Sequence, residues 1–220
     1  LAPKSRRTVS IAFIGKQSEI HHLPLGVVGI ISPWNYPLSI PFGEVVMALM
    51  AGNAVLLKVA AVTPLVGKLI EDIVAAGDLP PGLFYHLAGS GGAISTAMFE
   101  HGINKLFFTG SVPAGKQLMA QAAETLTPLS LELGGKDPMV VLEDADLERA
   151  TNGAAWAGLQ NAGQSCGGVE RIYVHESIYQ PFVALLAQKV KALRHGAASA
   201  GCVVDIGAMT TAKQRMTVER

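Results

Sequence analysis

Several features that mark secreted, membrane or nucleic-acid-binding proteins are scarce in this chain of 220 residues. Its two cysteines, Cys166 and Cys202, resemble neither a disulfide framework nor a metal cluster, which favours the reducing cytoplasm. The 6 histidines lack metal-ligand spacing, so no metal is predicted. Charged residues make up 15%, with 17 basic against 17 acidic, so no nucleic-acid or anionic membrane partner is expected. The longest apolar stretch, 45–57, is too short to cross a bilayer.

Apolar residues are abundant instead. They make up 50% of the chain, and the mean hydropathy is +0.36. This is high for an isolated domain and predicts surface that another chain or further segments cover. The sequence starts at Leu1, and its last stretch, 210–220, reads as the opening of a helix without an exit signal. We therefore expect this chain to be a piece of a longer protein. The balanced charge favours a small molecule or another protein as its partner.

Strand-like runs alternate with helix-like segments over residues 1–133. The predicted strands are 25–31, 54–57, 84–87, 106–108 and 129–133. The predicted helices are 42–51, one capped by Thr63 with Pro64 in its first turn, 93–101, and one with Pro113 in its first turn. This alternation predicts an α/β fold, a doubly wound and mainly parallel sheet with ligands at the carboxyl ends of the strands.

The pattern restarts after the glycine pair at 134 and 135. Strands are predicted at 139–142 and 172–174, and helices at 147–161 and 178–193. We place a domain boundary at the glycine pair, which gives two domains, 1–133 and 134–220.

Three residues stand out as candidates for chemistry. Cys166 lies in GQSCGG at a helix-to-strand junction and is either an exposed nucleophile or an inert buried thiol, which is what we expect of Cys202. Glu132, between two leucines, is either a half-buried general base or a structural carboxylate. Asn35, between two prolines, is either a donor to a developing negative charge or an ordinary turn amide.

A second group of residues lies at predicted strand ends. The turn from Gly110 to Gly115 follows a strand and opens a helix, so it either binds phosphate or is an ordinary glycine turn; it is not GxGxxG. Lys58 ends another strand, where most lysines are simply solvated.

Five segments, taken together, carry a family resemblance. They are SPWNYPL (32–38), Lys58 followed by Thr63 and Pro64, FTGSVPAGK (108–116), LELGGKDP (131–138) and NAGQSCGGVERIYV (161–174). In this order and spacing they resemble the aldehyde dehydrogenase superfamily, from about residue 24 to 209. The resemblance implies a Rossmann-like NAD(P)-binding domain at 1–133 and the first part of a catalytic domain at 134–220.

The resemblance also implies an activity. An aldehyde would be oxidised to a carboxylic acid, with NAD or NADP as the cofactor, through a thiohemiacetal and a thioester on Cys166. Asn35 would hold the oxyanion, and Glu132 would activate water, which is typical of the hydrolytic branch. The implied cofactor-binding residues are Trp34, Lys58, Gly110, Ser111, Gly115 and Gly134.

The chain departs from the family pattern in places. Val59 and Ala61 stand where the family usually has a proline and a ribose-binding glutamate, and Ala208 replaces another expected proline. Because Ala61 removes a carboxylate that would repel the NADP phosphate, the cofactor choice stays open. Later catalytic segments of the family lie beyond Arg220. The resemblance suggests a homo-oligomer, a dimer or a tetramer, and the alternative is a non-catalytic truncated relative that binds nucleotide or has a structural role.

Overall fold

The computed structural model describes residues 5–7, 10–197, 201 and 203–219, and the predicted inert thiol Cys202 lies outside them. The chain divides into two compact units, Leu1–Leu133 and Gly134–Arg220. Among the described residues, none of the helices has the length and apolar character needed to cross a membrane.

The first unit contains seven strands and four α-helices within its described residues. In chain order they are β1 (Ser5–Arg7), β2 (Ser18–Ile20), β3 (Val27–Ile31), α1 (Ser39–Met50), β4 (Ala54–Lys58), α2 (Pro64–Ala75), β5 (Phe84–His86), α3 (Gly91–Glu100), β6 (Lys105–Thr109), α4 (Val112–Thr125) and β7 (Leu129–Glu132). A short 3-10 helix spans Ile11–Phe13. Strands β1 and β2 pair with each other antiparallel, a hairpin that the sequence did not predict.

The other five strands form one parallel sheet in the order β5-β4-β3-β6-β7. The predicted α/β fold with a mainly parallel sheet is thereby confirmed. The chain first winds from β3 through β4 to β5 and then crosses back to β6, beside β3. In doubly wound sheets the crevice between the two oppositely wound halves is the usual ligand site, here at the carboxyl ends of β3 and β6.

Helices cover both faces of this sheet because its strands carry apolar side chains on both sides. One face packs against α1 and α2, where Val45 and Ile70 join Val28, Ile30 and Leu57 in a single buried cluster. The opposite face packs against α3 and α4 in a second cluster. The members of that cluster include Ile31, Met98, Phe99, Leu106, Phe108 and Leu118.

Two helix starts and one helix cap differ from their predictions. Helix α3 begins at Gly91, two residues before the predicted 93. Helix α1 begins three residues before the predicted 42, because Pro41 lies in its first turn, and Leu38 precedes it without a side-chain cap. Thr63 precedes α2 as predicted, but its side chain does not cap the helix. Its Oγ1 instead donates to the carbonyl oxygen of Ala60 at 3.4 Å.

The second unit contains two strands and three α-helices within its described residues. They are β8 (Asp137–Val141), α5 (Leu147–Leu159), β9 (Val169–Val174), α6 (Tyr179–Ala192) and α7 (Ala212–Val218). Short 3-10 helices span Gln160–Gly163 and Glu176–Ile178. Strands β8 and β9 pair in parallel, and Val141, Ala154 and Phe182 form the centre of the core between this pair and helices α5 and α6.

Candidate active site

The carboxyl edge of the parallel sheet brings several of the predicted residues together. The backbone N–H of Ser32, just after β3, donates to the carbonyl oxygen of Lys58 at 3.0 Å. On the other side of the switch point, the N–H of Gly110 donates to the carbonyl oxygen of Glu132 at 3.0 Å. Lys58, Gly110 and Glu132 therefore lie along one edge, with Ser111 directly after Gly110.

Lys58 is buried, with 8% of its surface exposed. Burial lowers the pKa of its ammonium group, because an apolar environment disfavours the charged form. Its side chain points towards the start of α3, where a Cβ built on Gly91 would lie 3.7 Å from Lys58 Nζ. Within the part of the chain that the structure describes, the ammonium has no hydrogen bond or ion pair, so its donors are available to a ligand.

The turn after β6 opens α4. Ser111 is the N-cap residue of this helix, and its Oγ accepts a hydrogen bond from the N–H of Ala114 at 3.4 Å. Packing explains both predicted glycines: a Cβ on Gly110 would lie 2.5 Å from the Phe108 ring, and one on Gly115 would lie 2.9 Å from Leu133 Cδ2. The helix N-terminus still presents backbone N–H groups suited to an anion.

Asn35 and Trp34 lie in the bend between β3 and α1. Both are half-buried and stand between Pro33 and Pro37, whose rings restrict the backbone there. The predicted oxyanion donor thus follows the central strand of the sheet, at the same carboxyl edge as Lys58.

Glu132 is exposed rather than half-buried as expected for a base, and its role as a general base stays a prediction. It ends β7, the edge strand of the sheet, and among the described residues no other strand pairs with the outer side of β7. In the β6–β7 ladder Glu132 pairs with Thr109.

Sequence reasoning missed one acidic residue at this edge, Glu44 of α1. It is half-buried, and it accepts hydrogen bonds from Ser32 Oγ at 3.1 Å and Thr109 Oγ1 at 3.5 Å. Burial raises the pKa of Glu44, the two hydroxyl donors oppose this, and the charge of Glu132 raises it further. The available signal was that Glu44 is the single charged residue in helix α1.

In the second unit, Cys166 is exposed and is a free thiol. It lies in the turn between the 3-10 helix Gln160–Gly163 and β9. Buried Gln164 anchors this turn: its Nε2 donates to the Asn161 carbonyl oxygen at 2.9 Å, and its Oε1 accepts from the N–H of Thr210 at 3.0 Å. The inert buried thiol is therefore ruled out for Cys166 by its exposure.

Three consecutive residues before this turn have left-handed backbone conformations. Asn161 has φ +52°, Ala162 φ +56° and Gly163 φ +72°. A non-glycine residue costs about 1–2 kcal/mol in this region. Such strain persists only where surrounding contacts impose it, and it is common at functional sites.

Glycines also let the two second-unit motifs pack together. A Cβ on Gly135 would lie 2.8 Å from Asp137 Oδ1, and one on Gly167 would lie 3.8 Å from Asp137 Oδ2. The Asp137 carboxylate therefore lies against the loop that carries Cys166. A Cβ on Gly134 would meet no described atom within 4 Å, so packing does not explain that glycine.

Polar contacts also join the segment after Gly134 to strand β9. Lys136 Nζ bonds to the Glu170 carboxylate, and Arg171 donates to the Lys136 carbonyl oxygen from Nε at 3.0 Å and from Nη2 at 2.6 Å. The bidentate guanidinium fixes the segment after Gly134 against β9.

The predicted residues thus fall into two groups. Trp34, Asn35, Lys58, Gly110, Ser111, Gly115 and Glu132 belong to the first unit, and Gly134 and Cys166 to the second.

Comparisons with known proteins confirm the family resemblance. The sequence profile described as "Aldehyde dehydrogenase family" matches residues 3–220. The 4,4'-diapolycopene aldehyde oxidase of Methylomonas sp is 40% identical over 218 residues, which are 97% of this chain and 40% of that protein. A putative succinate-semialdehyde dehydrogenase [NADP(+)] of Mycolicibacterium smegmatis is 38% identical over 199 residues, 90% of this chain and 38% of that protein.

A solved structure of an aldehyde dehydrogenase is also similar in fold to this chain. The crystal structure of an aldehyde dehydrogenase from Brucella melitensis biovar abortus 2308 superimposes with a TM-score of 0.91 at 34% identity, covering 99% of this chain and 44% of that one. The present chain spans about two fifths of the length of the curated relatives named above. On the match of its sequence and of its fold, it belongs to the aldehyde dehydrogenase family.

Proposed function

We propose that the protein oxidises an aldehyde to a carboxylic acid, with NAD or NADP as the cofactor and Cys166 as the nucleophile. The observation that carries this proposal is the exposed, free thiol of Cys166 in an anchored turn of a chain from the aldehyde dehydrogenase family. A thiol can attack a carbonyl only where substrate can reach it, and Cys166 meets that requirement.

Three side chains have distinct roles in the proposed reaction. The Cys166 thiolate, which has already lost its proton, bonds to the aldehyde carbon as the carbonyl π bond breaks, and the Asn35 side-chain amide donates to the oxyanion of the resulting thiohemiacetal. After oxidation to the thioester, Glu132 takes a proton from water while the water oxygen bonds to the thioester carbon. The carbon–sulfur bond then breaks, which releases the carboxylic acid and restores Cys166.

The carboxyl edge of the first unit fits a dinucleotide. The buried Lys58 ammonium has donors for a ribose hydroxyl, and Ser111 and the turn from Gly110 to Gly115 present the N-terminus of α4 to a pyrophosphate. Trp34 at the same edge and Gly134, whose missing side chain leaves room, complete the proposed binding residues. When bound, the nicotinamide ring accepts the hydride that leaves the substrate carbon.

Cofactor choice is proposed to be tolerant. Ala61 follows β4 and is exposed, so no carboxylate stands there to repel a 2′-phosphate. The M. smegmatis relative is named for NADP(+). Both NAD and NADP are therefore compatible with this edge.

Composition and surface support a proposal for assembly and location. Many large apolar side chains are exposed, among them Leu126 at 88% and Trp156 at 68%. Large exposed apolar surface usually marks an interface, which supports a homo-oligomer, a dimer or a tetramer. The free thiol of Cys166 and the balanced charge support a cytoplasmic protein that binds a small aldehyde rather than nucleic acid or a membrane. The non-catalytic alternative is not favoured, because Cys166, Glu132 and Asn35 are all present.

The direct test is an assay of the full-length protein with a panel of aldehydes and either NAD or NADP. We expect one carboxylate to form for each cofactor reduced, without coenzyme A, because Glu132 directs the thioester to water. If no aldehyde in the panel reduces either cofactor, the proposal fails; a strict requirement for coenzyme A rejects its hydrolytic step.

Lys58→Met should raise the KM for the cofactor about tenfold or more, because it removes one charge-assisted hydrogen bond worth about 1.5–3 kcal/mol. The aldehyde KM should change little. Lys105→Met is a matched control, since Lys105 begins β6 at the opposite, amino-terminal edge of the sheet. Equal effects of the two substitutions on cofactor KM would contradict the assignment of Lys58.

A further inference from the structure

The carboxyl edge holds a second acidic group that the proposed mechanism does not use. Glu44 projects from α1, the helix that packs against β3 and β4. Ser32 Oγ donates to its Oε2 at 3.1 Å from the end of β3, and Thr109 Oγ1 donates to its Oε1 at 3.5 Å from the end of β6. Each carboxylate oxygen of Glu44 is therefore held by a hydroxyl from one of the two central strands.

Strand register places Glu132 on the same face. Glu132 pairs directly with Thr109, and paired residues of neighbouring parallel strands, about 4.8 Å apart, point to the same side of the sheet. The Thr109 side chain reaches Glu44, so the face that it shares with Glu132 is the one covered by α1. The electrostatic effect of Glu132 on the pKa of Glu44 reflects this proximity.

The other groups packed around Glu44 carry no competing charge. On this face β3 and β4 present the apolar side chains Val28, Ile30, Val55 and Leu57. The Lys58 ammonium lies towards α3 on the opposite face. In α2, Lys68 pairs with Glu71 and Asp72 at the surface. Glu132 is thus the ionisable group that bears on Glu44, and no cation neutralises either carboxylate within the described residues.

We propose that Glu44 receives the proton that Glu132 removes from the hydrolytic water, so that the two carboxylates form a proton relay. This inference rests on the proposed function and adds a residue to its last step. Glu44 is a positioning residue for the proton: it acts through Glu132 and does not touch the substrate.

The relay is balanced in atoms and electrons. One O–H bond of water breaks as its oxygen bonds to the thioester carbon, and the proton moves to the Glu132 carboxylate. That proton then passes to the Glu44 carboxylate, through the Thr109 hydroxyl or a water molecule, and leaves for solvent before the next turnover. Nothing is oxidised or reduced. Because burial raises the pKa of Glu44, its carboxylate competes for the proton better than an ordinary surface glutamate.

The relay predicts a specific pH dependence. Both carboxylates must be ionised before hydrolysis, so the logarithm of the steady rate should fall with a limiting slope of about two on the acidic side of the profile. Glu44→Gln retains a carbonyl oxygen for one hydroxyl donor but cannot take up the proton. In this variant the slope should fall to about one, and the steady rate at neutral pH should fall about tenfold.

The experiment compares the burst and the steady phase of NAD(P)H formation in the full-length protein across acidic pH. The burst reports thioester formation on Cys166, so Glu44→Gln should leave it unchanged. Glu44→Asp keeps an ionisable carboxyl and should restore a slope of about two. Glu124→Gln, an exposed glutamate of α4, is the control and should behave as the wild type.

The outcomes separate the relay from the proposed function. A wild-type protein with neither burst nor turnover overturns the proposed function and the relay with it. A normal wild-type burst and turnover with a slope of about one, or an unchanged slope in Glu44→Gln, overturns the relay alone. A burst lost in both Glu44→Gln and Glu44→Asp assigns Glu44 to the structure of α1 and also overturns the relay.

Discussion

Cys166→Ala is expected to reduce aldehyde-dependent NAD(P)H formation to background, a loss of about a thousandfold or more, because removal of the nucleophile ends covalent catalysis. The fold should be retained. Cys166 is exposed in its turn, and the contacts that anchor the turn come from Gln164 and Asn161 rather than from the sulfur.

The measurement is the rate of cofactor reduction at saturating aldehyde, together with the intact mass of protein quenched with substrate. Wild-type protein should gain the mass of an acyl group, and Cys166→Ala should not. Cys202→Ala, which changes the chain's other cysteine outside the described residues, should keep full activity. Unchanged turnover in Cys166→Ala would remove Cys166 from the mechanism and would leave the family membership unaffected.

Glu132→Gln should trap the enzyme after oxidation. The amide keeps the size of the side chain but cannot take a proton from water, and loss of a general base typically costs about 10²–10⁴-fold. We expect a burst of NAD(P)H approaching one per active site, followed by almost no steady turnover. Because Glu132 is exposed at the end of an edge strand, the substitution should have little effect on stability.

Rapid-mixing measurements of the burst, and mass detection of the accumulated thioester, test this expectation. Glu100→Gln, an exposed glutamate at the end of α3, serves as the control and should turn over normally. A normal steady rate in Glu132→Gln would assign thioester hydrolysis to another group. If the burst itself disappeared, Glu132 would be needed before oxidation, for example to deprotonate Cys166.

Much of the first unit was predictable because its strands are short, continuously apolar and separated by helices. Apolar runs such as 25–31 and 54–57 favour strands buried on both faces, and Gly or Pro marks most of their ends; β3 nevertheless begins at Val27, two residues later than predicted. The β1–β2 hairpin escaped prediction because Ser18–Ile20 carries no alternating apolar pattern. The start of α1 was misplaced because Leu38 gives no capping signal.

The candidate site was predictable in its residues and not in its surroundings. A cysteine before two glycines is visible as a motif, whereas the anchoring of its turn by Gln164 and Thr210 spans 46 residues of sequence. From the sequence Glu44 is an isolated charge. Its hydrogen-bond partners, Ser32 and Thr109, follow strands β3 and β6, and the sequence does not reveal that these strands are neighbours. The exposure of Glu132 depends on the position of β7 at the sheet edge.

Lys58 and Glu44 lie on opposite sides of the same five-stranded layer, because strand alternation directs Lys58 towards α3 whereas Glu44 projects from α1 on the other face. Under the proposed roles, recognition of the dinucleotide and disposal of the water proton are physically partitioned by that layer. Substitutions that retune nucleotide preference around α3 and α4 can then accumulate without altering acid–base behaviour beneath α1. Evolution from NAD to NADP specificity, or the reverse, would then leave thioester hydrolysis unchanged.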